Sequence, residues 1–394
     1  MKNNTLLTIT FLLLAVPAWS QPFTFRHHLV DPELPGSAWG QTALVDLDGD
    51  GDLDFITGKS GGNIRWYEYE DDQTWVMHVI GENSPSEVGG AALDVDRDGR
   101  LDFVTGGAWY RQPENAKATP WPRFVFDETL KGVHDVSAAD ATGDGFPEVF
   151  TMSDRNDLRY YVINKDNPGG SWPHERIGDS VHAGLSVGDL DADGDIDVVR
   201  SQVWFENINN GSQWKVREFC GIPWADRKQP SFSYLASKSC VADINGDGRN
   251  DIVLTEAEFS GAKVAWFEAP ENPHKSPWTP HVLPQTDPEH NGPFHSLAVA
   301  DFDNDGDLDI FSGEMERFGV KPHRWFIWEN VSGDGKTFKT HIVFDGNLGT
   351  HDAVAGDIDG DGDIDIMGKL WQPVGDNANQ GNNHVDFLEN RLIK

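Results

Sequence analysis

Positive charge is scarce in this sequence. Lys and Arg number 31 against 65 Asp and Glu in 394 residues, a formal net charge of −34. Nucleic acid and anionic membrane surfaces would repel so acidic a chain, so neither is an expected partner. Cysteine is nearly absent, with only Cys220 and Cys240 present. In an oxidising compartment this pair could close one loop, but spacing alone does not say whether the geometry allows a disulfide. Long apolar runs are missing beyond the first twenty residues. There Lys2 precedes the stretch LLTITFLLLAVPA, and AWS stands before Gln21. That pattern is a secretory signal, too short to span a bilayer, with cleavage expected near Ser20/Gln21. The remainder, 21–394, is expected to be one domain, secreted or periplasmic and without a membrane span. No phosphate-binding Gly-rich loop, nucleotide fingerprint or Ser-His-Asp set occurs in a credible context.

What is abundant is Asp, Gly and Trp, and much of it repeats. DLDGDGDLD at Asp46 recurs as DVDRDGRLD at Asp94, DATGDGFPE at Asp140, DLDADGDID at Asp189, DINGDGRND at Asp243, DFDNDGDLD at Asp301 and DIDGDGDID at Asp357. First residues are 48, 46, 49, 54, 58 and 56 positions apart. A period of about fifty built from short strand-like runs is the spacing of propeller blades with four strands each. Each unit reads alike. A small apolar run such as TALV precedes the loop, a β-rich run such as DFITG follows, and then come an aromatic run such as RWYEY and a fourth such as TWVMHVI. Only six fourth runs serve seven units. The stretch FTFRHHLV, residues 23–30, has the fourth-run pattern and precedes the first loop. The expected fold is therefore an all-β, seven-bladed β-propeller with four strands per blade, its ring closed by the N-terminal strand. Closure removes the exposed sheet edge. Seven repeats in phase resemble the FG-GAP/VCBS repeat family of seven-bladed propellers over nearly the whole of 23–390.

The loops suit Ca²⁺, with hard oxygen ligands at alternating positions, a Gly for the tight turn and a closing carboxylate. Positions 1, 3, 5 and 9 are the expected ligands. These are Asp46, Asp48, Asp50 and Asp54; Asp94, Asp96, Asp98 and Asp102; Asp189, Asp191, Asp193 and Asp197; Asp301, Asp303, Asp305 and Asp309; and Asp357, Asp359, Asp361 and Asp365. The fifth loop has Asp243, Asn245, Asp247 and Asp251. The third has Asp140, Asp144 and Glu148, with Thr142 at position 3, and is expected to bind weakly. Up to seven structural Ca²⁺ would then staple the strand hairpins and offset much of the negative charge.

In that family the acidic hairpin between strands one and two lies on the lower face. The start of strand one and the turn between strands two and three then share the upper face. Six residues before each loop stand Gly40, Val88, His134, Ala183, Ser237, His295 and His351, with His182 beside Ala183. Four imidazoles at one height make His134, His295, His351 and His182 the candidate catalytic residues, or ligands for Zn²⁺ or another divalent ion. Asp135 and Asp352 could orient neighbouring imidazoles. The two-to-three turns add Lys59, Arg155, Arg200 and Lys369, with Trp109 as candidate substrate contacts and Tyr110 as a further candidate base. Basic groups on one rim of an acidic protein point to an anionic ligand. The insertion between Cys220 and Cys240 is expected to wall the same face. Trp66, Trp204, Trp266 and Trp325 recur about once per blade and read as packing between blades.

The runs TGGAWY, VWFENI and AWFEAPENP beside the acidic loops also resemble the propeller domain of aldos-2-ulose dehydratases. The chain is similar as well to the secreted oligosaccharide dehydratases of ulvan breakdown. That resemblance implies a carbon–oxygen lyase that eliminates water from the uronic acid at the non-reducing end of an anionic oligosaccharide. The alternatives are a polysaccharide lyase using the same α-proton chemistry and a glycan-binding or adhesion propeller without catalysis.

Overall fold

The seven acidic loops each join the first two strands of a four-stranded antiparallel sheet, and seven such sheets make up the computed structural model. It describes residues 23–86, 88–220, 237–275, 277–287, 291–316 and 321–392. The innermost strands are short and rich in small residues: Trp39–Val45, Ala91–Leu93, Val133–Ala139, Leu185–Gly188, Ser237–Ala242, Ala298–Ala300 and Val354–Gly356. Short, small-residue strands are what a crowded central channel admits. In six blades the four strands follow one another in sequence. In the seventh, Val354–Gly356, Asp365–Lys369 and Val385–Asn390 are completed by Phe25–Asp31, which pairs antiparallel with Val385–Asn390 from Phe25↔Asn390 to Asp31↔Val385. The N-terminal strand thus closes the ring, and the last blade is left with no bare third strand.

Seven apolar clusters account for the core, one at each interface between adjacent blades. Trp66, Trp109, Trp204 and Trp266 hold one register. They pair with Ile56, Val104, Val199 and Val253, each the second residue after a loop's ninth position. All four are at most 1% exposed. The repeating tryptophan is therefore a wedge between blades, worth roughly 3–5 kcal/mol of stability at each position by the usual cost of its truncation. Trp325 is equally buried between blades six and seven.

Cys220 and Cys240 are not bonded to each other. Cys220 packs on the cluster between blades four and five, and Cys240 on the one between blades five and six. Burial pushes the Cys220 thiol up to about 12 and the Cys240 thiol to about 11, so neither is a ready thiolate. The insertion expected to wall the upper face falls mostly at 221–236, outside the described residues. Among the described residues no helix is long and apolar enough to cross a membrane.

Candidate functional site

The register that placed His134, His295 and His351 at the start of three inner strands brings them together at one mouth of the channel. All three are at most 5% exposed. The His295 and His351 rings stack at 3.9 Å between centroids, His134 lies 6.0 Å from His295, and His182 lies 4.2 Å from His134. Just past that register on the inner strands, a second layer of groups lines the channel. Lys238 Nζ donates to Asp352 Oδ1 at 2.9 Å and lies 3.8 Å from Asp135 Oδ1. Asp352 also accepts from Thr42 Oγ1 at 2.8 Å, so it holds Lys238 rather than an imidazole. Asp135 does face an imidazole, with His134 Nδ1 3.3 Å from its Oδ1 while its Oδ2 accepts the Gly184 N–H at 2.9 Å. Below these groups lies a cavity of about 180 Å³, lined in part by Thr42, Gly89, Asp135, Lys238, Ser239 and Asp352.

Lys369 reaches the cluster from the second strand of blade seven. It is fully buried, donates to the His351 carbonyl, and sits 3.4 Å from His351 Nδ1. Burial, with Lys238 nearby, pushes its amine down to about 7 against the pull of Asp352. Burial and the neighbouring charges of His295 and Lys369 hold His351 well below the ordinary imidazole range. Two buried bases that shed their protons easily therefore stand side by side.

Glu258, from the two-to-three turn of blade five, completes the other side. Its Oε1 is 3.2 Å from His295 Nε2 and 3.7 Å from His182 Nε2. His182 Nδ1 is 3.0 Å from Asp154. Burial opposes charge on His182, yet Asp154 and Glu258 outweigh it and raise the group to about 9. Glu316 is buried beside Trp371, whose N–H it accepts at 3.0 Å, and its field reaches Lys369. Neither Glu258, Glu316 nor Lys238 stood out in the sequence. Lys238 sits one residue past the imidazole register, and the two glutamates lie in turns that do not repeat from blade to blade.

Other expected contacts lie elsewhere. Trp109 is one of the interblade wedges, stacked on Phe124 with its Nε1–H donated to the Pro168 carbonyl. Tyr110 is buried between blades one and two, where its hydroxyl donates to the Glu82 carbonyl at 3.0 Å and accepts from Arg123. Burial pushes its phenol up, so it is a poor base as well as a distant one. Their turn is tight: strand three of that blade starts at Ala108, directly after Gly106–Gly107, and both side chains are drawn into packing. Lys59 lies over Trp39 and donates to the Pro35 carbonyl at 3.3 Å. Arg200 donates to the Asp179 carbonyl and lies over Phe205. Arg155 is exposed beside Gly132. Of the four cations proposed for an anion-binding rim, only Lys369 has contacts within the imidazole cluster.

The acidic loops share one geometry. The sixth residue is Gly with φ between 84° and 106° in all seven, a conformation that a side chain would strain. Where position 1 is Asp94, Asp140, Asp243 or Asp301, its two oxygens accept the N–H groups of positions 5 and 6. The ninth carboxylate is buried and accepts the N–H of position 2 in every loop, as Asp54 does from Leu47 and Asp309 from Phe302. In six loops its other oxygen accepts an N–H at the end of strand three, so one residue ties three strands. Burial pushes Asp54, Asp197, Asp309 and Asp365 up to about 8, the mark of carboxylates that want a counter-charge. Position 3 discriminates between loops. Asp48, Asp96, Asp191 and Asp303 each keep a buried oxygen without a hydrogen-bond partner among the described residues. In loop three the Thr142 hydroxyl instead donates to Glu148, and in loop five Asn245 is bonded to Asp247. Carboxylate oxygens of Asp46, Asp48 and Asp50, of Asp94, Asp96 and Asp102, and of Asp189, Asp191 and Asp197 converge within 4.8 Å. The donor set fits a hard divalent cation, least well in loop three.

The repeats match the FG-GAP-like repeat family over residues 46–105, 94–151, 140–199 and 243–312. These stretches make up more than half of the chain, which belongs to that family. No curated protein matches it. Two similar solved structures are crystals of BBS1N in complex with ARL6DN, one soaked with mercury and one with lead. They are 11% and 10% identical, with TM-scores of 0.54 and 0.53, and the match covers 93% of this chain and 96% or 97% of theirs. At that identity the likeness carries the propeller fold alone.

Proposed function

We propose that the chain is a carbohydrate dehydratase, a carbon–oxygen lyase that removes water from the non-reducing-end uronic acid of ulvan-type oligosaccharides and leaves a 4,5-unsaturated uronyl residue. The observation that carries this reading is the buried His351–Lys369 pair at the mouth of a channel walled by three further imidazoles. The first demand of the reaction is a base for the proton α to the carboxylate, a weakly acidic position. A base serves best when its pKa lies near the working pH, and Lys369, brought down to about 7 by burial, meets that condition. The second demand is positive charge close to the enolate that forms, which Lys238 supplies from the adjacent layer. The C5–H bond breaks toward the pair, the C4–C5 double bond forms, and the C4 hydroxyl leaves with a returned proton as water. On this reading the acidic loops are Ca²⁺ staples that hold the blades, not switches.

The test is ultraviolet absorbance during incubation with saturated uronic-acid oligosaccharides in the presence of Ca²⁺. The conjugated double bond of the product should give a steady rise. A flat trace across a broad panel of such substrates would overturn the reading and favour a glycan-binding propeller.

A further inference from the structure

We propose that His134, His182, His295 and Glu258 hold a divalent transition-metal ion at the channel mouth, distinct from the ions of the acidic loops. His295 is fully buried; its Nδ1 has no hydrogen-bond partner among the described residues, and its Nε2 faces Glu258 Oε1 at 3.2 Å without the alignment of a hydrogen bond. A buried polar group left in that state is costly unless something absent from the protein atoms satisfies it. Glu258 Oε1 lies 3.2 Å from His295 Nε2 and 3.7 Å from His182 Nε2. A tetrahedral ion with bonds of about 2.0–2.1 Å spaces its ligand atoms roughly 3.3 Å apart, so these separations are the right size for a shared ion.

The surroundings match as well. A metal-bound imidazole usually gives its other nitrogen to a carboxylate, which fixes its orientation. His182 Nδ1 has Asp154 at 3.0 Å, and His134 Nδ1 has Asp135 at 3.3 Å. With Nδ1 so engaged, Nε2 is the ligand atom each ring would offer, and His182 Nε2 already lies 3.7 Å from Glu258 Oε1. Three imidazoles and one carboxylate select a borderline ion such as Zn²⁺ over Ca²⁺ or Mg²⁺, which prefer oxygen alone. Charge balance points the same way. Four carboxylates, Asp135, Asp154, Asp352 and Glu258, converge on the mouth, and Lys238 and His182 are paired among them. An ion on His295 would lie close to the His351–Lys369 pair, since the His295 and His351 rings stack at 3.9 Å, and a substrate carboxylate could meet it there. That last role rests on the reaction proposed above, whereas the site itself does not.

The experiment is metal analysis of the protein purified without chelator, then loaded with Zn²⁺ or Co²⁺ and dialysed. About one transition-metal ion per chain should remain, and Co²⁺ should give the visible absorption of a low-symmetry nitrogen–oxygen site. His295→Ala and Glu258→Gln should each lower transition-metal retention at least tenfold with loop Ca²⁺ unchanged. Wild-type protein that retains no Zn²⁺ or Co²⁺ overturns the inference without any variant having to fold. Variants that retain as much as wild type overturn it too. Retained metal with no turnover of uronic substrates would support the site and defeat the dehydratase reading. Full turnover by metal-free protein that also fails to take up added Zn²⁺ would do the reverse.

Discussion

Lys369→Met should lower kcat/KM on a uronic oligosaccharide by about 10²–10⁴-fold while leaving the melting temperature within a few degrees of wild type. The two readouts separate because of where the amine sits. Lys369 is fully buried, and its charge is disfavoured there by desolvation. An unbranched apolar side chain of similar size fills the same space without that cost, so the fold has little to lose. The reaction does lose something, because the nitrogen 3.4 Å from His351 Nδ1 is gone and the α-proton has no shared acceptor. His351→Asn should fall in the same range, and the double variant should be little worse than either alone, since the two act as one unit. Activity of Lys369→Met within about threefold of wild type would remove the pair from the mechanism.

Removing Ca²⁺ should have the larger effect on stability. An ion present at about 10–100 times its dissociation constant adds roughly 1–3 kcal/mol per site. Several filled loops together should then raise the melting temperature by about 10 °C or more. The loops are not equal. Asp48→Asn and Asp303→Asn alter carboxylates that keep an unpartnered buried oxygen, and each should erase part of the chelator-sensitive shift. Asp140→Asn should change that shift little, because the Thr142 hydroxyl already satisfies Glu148 in its loop. A melt that stays put after metal analysis confirms loss of Ca²⁺ would contradict the staple role.

The ring was legible because the acidic loop repeats and marks the phase of every strand. Counting runs within that phase also exposed the missing fourth strand, which Phe25–Asp31 supplies. The imidazole cluster was legible for the same reason: His134, His295 and His351 share one register, and equal register in a propeller means equal height on the channel wall. Residues outside the repeat were not. Glu258 comes from a turn unique to blade five, and nothing in the spacing separates it from Glu256. The latter is buried and accepts the Lys263 N–H at 2.7 Å. Lys238 shares a strand with the register position Ser237 but stands one residue deeper. Trp109 and Tyr110 misled because a turn can be placed from spacing while its length cannot. Two glycines suffice there, and both aromatics belong to the following strand, where the interblade tryptophan period claims the first.

If the cluster at the channel mouth eliminates water from an intact anionic oligosaccharide, the mass of the product records it. Mass spectrometry of a saturated uronic tetrasaccharide after incubation with the wild-type protein tests it most directly. The expected product is lighter by one water, with chain length unchanged and the loss confined to the non-reducing end. Shorter unsaturated fragments would mean that a glycosidic oxygen leaves instead and the protein is a polysaccharide lyase. An unaltered substrate would mean that the cluster does no such chemistry.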